Sequence, residues 1–429
     1  MATLSSGKIA EVIFENMLES YEHQDKMLDL CEFFKPDAAT MQNAGNIVWR
    51  PVQQHAPIIT GWDLSASSNR TGIIEETYSN SLSDPRNDFV ELRADDMRDM
   101  EFWKRRGVQS GMQQATELNN LIAGNINLQG SLFYQNNDTS GFDFISEAQA
   151  IMDERQGYNS GMRSFILNNR DSRRFAEELA GRNTLQGRPE MVWKKGQIAQ
   201  NVAGFDIYTA SFLPQVRGGT AGNLAVNGAN QRGTPVGATT DQSGQRVQNV
   251  DYRQFVLTAD GSGFAGVQAG DKVTIAGVNS IGLASKTDTS QLMTFSVVAK
   301  GTNTLVLWPK PINNADTTNL NVLQRAYSNT TGAIADNAAI TILNTTARRS
   351  NLFFDKDAVE VMGGSVPVDL FSQFNGYKVI TERMANGQEI YMLYAGNIDN
   401  MTFRFRVFTW YGITVRDPQR AGVAVSTAT

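Results

Sequence analysis

The sequence predicts an α+β fold with an all-β segment inserted into a mixed host, on three observations. Helical periodicity is strongest in two stretches, near 9–21 and 97–122. Short strand-like runs bounded by Gly, Pro, Asn and Ser occupy much of the remainder. From about Gly218 to Asn344 the composition shifts to Gly, Thr, Asn, Ser and Val, with turn residues recurring between short apolar runs.

The first periodic stretch is an amphipathic helix. Ile9, Val12, Ile13, Met17 and Tyr21 share one face, while Glu11, Glu15, Glu19 and Glu22 gather within about 80° on the other. This helix forms an arm that leads to a bend near Pro36. Asn46–Val52 follows as a strand stopped by Pro51. Gly61-Trp62-Asp63-Leu64 opens a polar stretch to Gly72, and Ile73–Tyr78 is extended again. Two strands joined by a long polar connection describe a projecting hairpin suited to binding a neighbouring chain.

The second helix is the longer, about 30 residues. Asp95 and Asp96 stand at its start, where acids favour the positive end. Met97, Met100, Trp103, Val108, Met112, Ala115, Leu118 and Ile122 recur at helical spacing, and Gly107 and Gly111 allow a bend or close packing. A small α/β unit follows. Ser164–Leu167 reads as a buried strand, Asp171 as the cap of a helix through Ala180, and Val202–Tyr208 as another strand. In the Gly/Thr-rich part, Phe255–Leu257, Lys272–Ile275, Phe295–Val298 and Thr304–Leu307 predict a small β-sandwich or barrel. Helical signals resume near Asp355, with Ala358 and Val361, and Phe403–Val415 returns as strand.

Composition narrows the function classes. The chain has 429 residues, enough for two or three domains, with 41% hydrophobic and 19% charged residues. A net charge of -6 supplies no cationic excess for gripping DNA, so a protein beside DNA would enclose it. The lone Cys31 forms no intrachain disulfide and suits a reducing compartment. There is no apolar signal core and no run approaching 18 apolar residues, so neither secretion nor membrane insertion is expected.

Catalytic signals are thin. Gly261–Gly266 matches G-x-G-x-x-G, but a strand follows where phosphate binding requires a helix, so a β-turn is expected. Asp84, Asp88, Glu91, Asp95, Asp96 and Asp99 cluster with Arg86, Arg93, Arg98, Arg105 and Arg106, which reads as helix capping and ion pairing and not as a metal loop. His23, His55 and Cys31 have no triad partners in sequence. No catalytic residue, cofactor or metal site is expected.

Several blocks resemble the coat proteins of P22-like short-tailed double-stranded DNA phages, the podoviruses. They are Met41-Gln42, Asn46–Val52, Gly61–Leu64, Asn87–Asp99, Val202–Asp206, Gly270–Lys272, Ala276–Val278, Thr294–Val298, Pro309–Pro311, Gln324–Tyr327 and Trp410–Gly412. The blocks are collinear and span most of the chain, and Asn87–Asp99 is the most specific. The resemblance implies an HK97-type capsid fold: an N-terminal arm (1–35), an E-loop region (36–90), a spine helix with a peripheral domain (91–135), an axial domain (136–222), an inserted immunoglobulin-like β domain (223–344), and a return through axial and peripheral domains (345–429).

The function so implied is self-assembly into pentamers and hexamers of an icosahedral head. The implied partners are a scaffolding protein, a portal protein and packaged double-stranded DNA held without sequence specificity, with no membrane. The place is the virion, after assembly in the host cytoplasm. Residue by residue, the resemblance points to Glu15 and Glu19 for scaffold binding, to Asp241 and Arg246 in a loop between capsomers, and to Trp62 and Arg70 for E-loop contacts. No Lys occurs between Arg50 and Lys104, so a shell without E-loop lysine crosslinks is expected. The rival readings are an encapsulin-like nanocompartment shell and an uncharacterised enzyme.

Overall fold

A computed structural model describes residues 6–36, 45–52, 62–63, 74, 76–93, 100–136, 141–156, 162–173, 175, 197–220, 222–235, 239–240, 246–248, 250–366, 377–384, 386–397 and 401–426. The class is mixed α+β, with few helices and many strands. The chain divides into two compact units. One is built from Met1–Val48, Asn80–Ile122 and Glu360–Thr414, the other from Trp49–Ser79, Ala123–Val359 and Val415–Thr429.

In the first unit the arm helix is Ser6–Gln24. Ile13, Met17 and Tyr21 are buried and Glu11, Glu15, Glu19 and Glu22 exposed, as the periodicity predicts; Ala10 and Phe14 join the buried face and Val12 is half-buried. The long helix is continuous over Met100–Gln129; its predicted start at 94–99 lies outside the described residues. Gly107 and Gly111 do not break it. A Cβ on Gly107 would lie 2.5 Å from the Ile13 carbonyl oxygen, and one on Gly111 still nearer that of Met17, so the two helices meet backbone to backbone. Ser20 Oγ donates to the Val108 carbonyl at 2.9 Å, and Asn119 receives Met27 N–H at 3.2 Å while donating to the Gln24 carbonyl at 2.9 Å.

The buried stripe of the long helix therefore runs through Trp103, Gly107, Ser110, Gly111, Gln114, Ala115, Leu118, Asn119 and Ile122. Val108 and Met112, expected on that stripe, are instead exposed. The stripe uses small and amide residues for close approach, so apolar spacing alone picked neighbours of the true seam.

Four antiparallel strands, Lys378–Arg383, Glu389–Asn397, Thr402–Thr409 and Arg86–Arg93, form a sheet in that order. One face, with Leu92, Phe403, Phe405 and Val407, is buried; Trp103 of the long helix meets Phe403 edge-to-face at 6.3 Å.

In the second unit a six-stranded sheet runs Leu132–Asn136, Ala421–Ser426, Asn351–Asp355, Arg163–Asn168, Phe205–Ala210, Gln197–Val202. The helix Gly141–Gln156 covers it through Phe144, Ile145, Ala148 and Met152. Phe165 and Phe353 stack at 6.0 Å, with Phe205 edge-on to both. Three expectations are corrected here. Val202–Tyr208 is a hairpin and not one strand: Ala203 (φ 47°) and Gly204 (φ 74°) make a two-residue turn of the kind that suits strand twist. The cap of the helix that follows Arg163–Asn168 is Asn168, whose Oδ1 accepts from Arg170 and Asp171 N–H at 3.0 Å, while Asp171 accepts from the side-chain amides of Asn168 and Asn351; the predicted end of this helix lies outside the described residues. Near Asp355 there is no long helix. A single 3-10 turn, Lys356–Ala358, separates the strands Asn351–Asp355 and Val359–Gly363, which are buried at every position and so leave no polar face of the kind an amphipathic helix shows.

The Gly/Thr-rich segment is a closed antiparallel barrel. Ala225–Val226, Phe255–Asp260, Thr304–Trp308, Asp288–Lys300, Lys272–Ile281 and Ile340–Ile342 pair in turn. Val226 N–H then donates to the Ala338 carbonyl and Ile340 N–H to that of Leu224, both at 2.9 Å, which returns the last strand to the first. Phe255, Leu257 and Ala259, with Phe295, Val297, Leu305, Leu307, Ile340 and Ile342, point inward, whereas Val256 is exposed. Of the two architectures left open, sandwich and barrel, the hydrogen bonds choose the barrel.

Candidate assembly surfaces

Two buried cations fasten the barrel to neighbouring segments of its own unit. Arg253, buried at the barrel entry, donates from Nε and Nη2 to the Asp251 carboxylate at 2.9 and 2.7 Å. It also donates to the carbonyls of Val415 at 2.5 Å and Ser79 at 3.1 Å, and lies 4.1 Å over the Trp308 ring. Thr77 Oγ1 donates to the Val250 carbonyl at 3.1 Å, and Tyr252 N–H to that of Thr77 at 3.0 Å. The limb after the predicted hairpin is thus stitched to the barrel entry. The two limbs meet where Val52 N–H donates to the Glu76 carbonyl at 3.0 Å.

Lys272, fully buried at a barrel strand's start, caps the C-terminal end of the long helix. Its ammonium donates to the carbonyls of Asn127 at 2.8 Å and Gly130 at 2.5 Å and to Ser296 Oγ at 2.8 Å. These carbonyls are the helix's orphan acceptors and its negative dipole end. Burial pushes the amine down to about 7, against the pull of neighbouring Asp271. Neither Arg253 nor Lys272 stood out in the sequence as a fastener, because each partner set is assembled from distant segments.

A cavity of about 220 Å³ sits in the same unit, lined by Val52, Glu76, Tyr252, Lys310, Tyr327 and Asp417 among others. Lys310 faces Glu76 at 3.9 Å. Burial raises the Asp417 carboxyl, and Arg420 opposes that shift.

The sequence-derived residues fall as follows. Glu15 and Glu19 stand exposed on the arm helix, beside Glu11 and Glu22. Trp62 is fully exposed, and Arg70 lies outside the described residues. Arg246 opens a two-stranded ribbon, Thr239–Thr240 with Arg246–Gln248, in which it pairs with Thr240; Asp241 lies outside the described residues. Gly261–Gly266 is a turn ending in the 3-10 turn Phe264–Gly266, followed by the strand Lys272–Ile281, and no helix start is present to take a pyrophosphate. Within the acidic cluster Asp88 pairs with Arg106 at 2.5 Å and Glu91 with Arg404 at 3.1 Å; no metal-binding group occurs among the described residues.

This strand-rich chain, with its inserted barrel, belongs to the class of phage capsid proteins. A family model for the P22 coat protein, gene protein 5, matches residues 1–426, and the chain belongs to that family. It is a capsid protein whose copies associate into capsomers, and its place is the virion. Among solved structures it is similar to the capsid of the cyanophage P-SCSP1u at 10% identity, covering 93% of this chain and 87% of that one, with a TM-score of 0.43. Residues amounting to 29% of this chain match 99% of the CUS-3 coat protein I-domain at 35% identity, with a TM-score of 0.23. A virus-like particle from Pyrococcus furiosus matches at 6% identity over 96% of this chain and 98% of that one, with a TM-score of 0.38.

Proposed function

We propose that the chain is the major coat protein of a short-tailed phage head, with an HK97-type architecture, and that it forms pentamers and hexamers of a scaffold-dependent procapsid that matures as double-stranded DNA enters. The observation that carries this reading is the family match over 1–426. The arm is 1–35, the E-loop region 36–90, the spine and peripheral domain 91–135, and the inserted domain 223–344. Glu15 and Glu19 present an exposed acidic row to a cationic scaffolding segment. Trp62 and Arg70 contact an adjacent subunit from the E-loop, and Asp241 and Arg246 bridge capsomers. The portal nucleates assembly, which takes place in the host cytoplasm, and the chain performs no catalysis of its own.

A shell suits many modest contacts. A contact of about -4 kcal/mol corresponds to only millimolar affinity, so misplaced subunits dissociate, while multivalent closure holds the finished particle. The cargo of native particles tests this reading against a protein-filled nanocompartment. Nuclease-protected double-stranded DNA is expected, and a protein cargo with no DNA would refute it.

A further inference from the structure

We propose that the cavity lined by Val52, Glu76, Tyr252, Lys310 and Tyr327 is a binding site for a small uncharged phenol, a single hydroxylated ring whose hydroxyl sits between Lys310 and Glu76.

Size and walls set the body of the ligand. The cavity measures about 220 Å³. An apolar cavity of about 150 Å³ takes benzene, so this one holds one ring with a small substituent. Val52, Leu283, Pro309 and Ile312 give it apolar walls beside Tyr252 and Tyr327. Both tyrosine hydroxyls are already engaged: Tyr252 donates to the Arg416 carbonyl at 2.6 Å, and Tyr327 to that of Ile74. Their rings are left for offset or edge contact with an aromatic occupant.

Lys310 and Glu76 set the polar group. Their side chains are 7% and 2% exposed, and Lys310 Nζ stands 3.9 Å from Glu76 Oε1, beyond hydrogen-bond length. The Lys310 contact to the Thr234 carbonyl is also long, at 3.4 Å. One oxygen placed between amine and carboxylate can form a bond of about 2.8 Å to each. The ammonium only donates and the carboxylate only accepts, so the bridging group must do both. A hydroxyl does; a carbonyl or an amine cation does not. It reproduces the bonds a bridging water makes, and the attached ring adds apolar burial.

Neutrality follows from the surroundings. Glu76 and Lys310 oppose each other in charge. Burial lowers the Lys310 amine, against the pull of Glu76 and Asp251, and raises the Asp417 carboxyl. Both shifts mark a place where charge is costly, so a neutral ligand is favoured over an ion. The occupant also has a structural position. Val52 N–H donates to the Glu76 carbonyl at 3.0 Å, so a ring in the cavity touches the joined roots of the two limbs and the barrel residues Lys310 and Ile312 at once.

The test titrates p-cresol into the full-length monomer labelled on its isoleucine methyl groups. A saturable shift of the Ile312 methyl resonance is expected, with a dissociation constant of about 1 mM. Ile145, buried in the core of the six-stranded sheet, should not move. Toluene, which keeps the ring and methyl and lacks the hydroxyl, should bind about tenfold more weakly. In Lys310→Met that tenfold difference should vanish; should this variant not fold, the two ligands on the native chain decide alone. No saturable shift at Ile312 would overturn the site, as would equal shifts at Ile312 and Ile145. Toluene binding the native chain as tightly as p-cresol would overturn the hydroxyl bridge.

Discussion

Arg253 and Asp251 form a buried bidentate ion pair at 2.9 and 2.7 Å, two residues apart in sequence. The same guanidinium satisfies two backbone carbonyls, of Ser79 and Val415, that come from opposite ends of the chain. Removing the cation leaves Asp251 buried without its countercharge. Arg253→Met is expected to cost about 3–5 kcal/mol of subunit stability, read as a lower denaturant midpoint in monomers. A loss below about 1 kcal/mol would show that the pair is not the fastener described.

Gly111 predicts a contrast with Gly124 in the same helix. A Cβ on Gly111 would collide with the Met17 carbonyl, whereas one on Gly124 meets nothing within 4 Å. Gly111→Val is expected to destabilise by about 1–3 kcal/mol through overpacking. Gly124→Ala is expected to stabilise by about 0.5–1 kcal/mol through helix propensity. Equilibrium unfolding of both variants checks the pair, and equal effects would refute backbone contact between the helices.

How much was legible in the sequence follows from cases such as this. The arm helix could be read because Ile13, Met17 and Tyr21 face a core and four glutamates face water. The long helix was legible as a helix, but its seam was not, since Gly107, Gly111 and Ser110 carry no apolar signal. The barrel's strands showed as alternation, yet closure depends on Leu224 and Val226 meeting residues 338–340, a pairing that local pattern does not encode. The same distance in sequence hid Lys272 as a helix cap. The acidic row of Glu15 and Glu19 was visible because it needs only one helix, whereas the pairing of Glu91 with Arg404 needs strand register.

Asp25 gives stability a pH dependence. Burial lifts its carboxyl from 3.8 to about 7, with Asn386 Nδ2 donating to it at 3.1 Å. The folded chain therefore keeps a proton that the unfolded chain has lost above about pH 4. The stability this group contributes is fully present below that pH and is lost as pH rises through about 7. Asp25→Asn removes the titration. It should match the native chain near pH 4 and exceed it at pH 8 by on the order of 2 kcal/mol. An advantage that did not grow between these pH values would contradict the assignment.

The exposed acidic row predicts an electrostatic partner. Glu15→Lys/Glu19→Lys should leave subunit stability within about 0.5 kcal/mol, because exposed positions contribute little. It should weaken scaffold binding about tenfold or more at low salt, with the difference shrinking as salt screens the contact. Calorimetric titration of scaffolding protein into monomers reads this, and unchanged affinity at low salt would remove these residues from the contact.

The central claim is that this chain builds a closed shell. Electron microscopy of the chain co-expressed with its scaffolding protein measures that most directly. The account predicts closed icosahedral particles whose lattice is made of pentamers and hexamers. Soluble monomers or open aggregates from correctly folded chain and scaffold would contradict it.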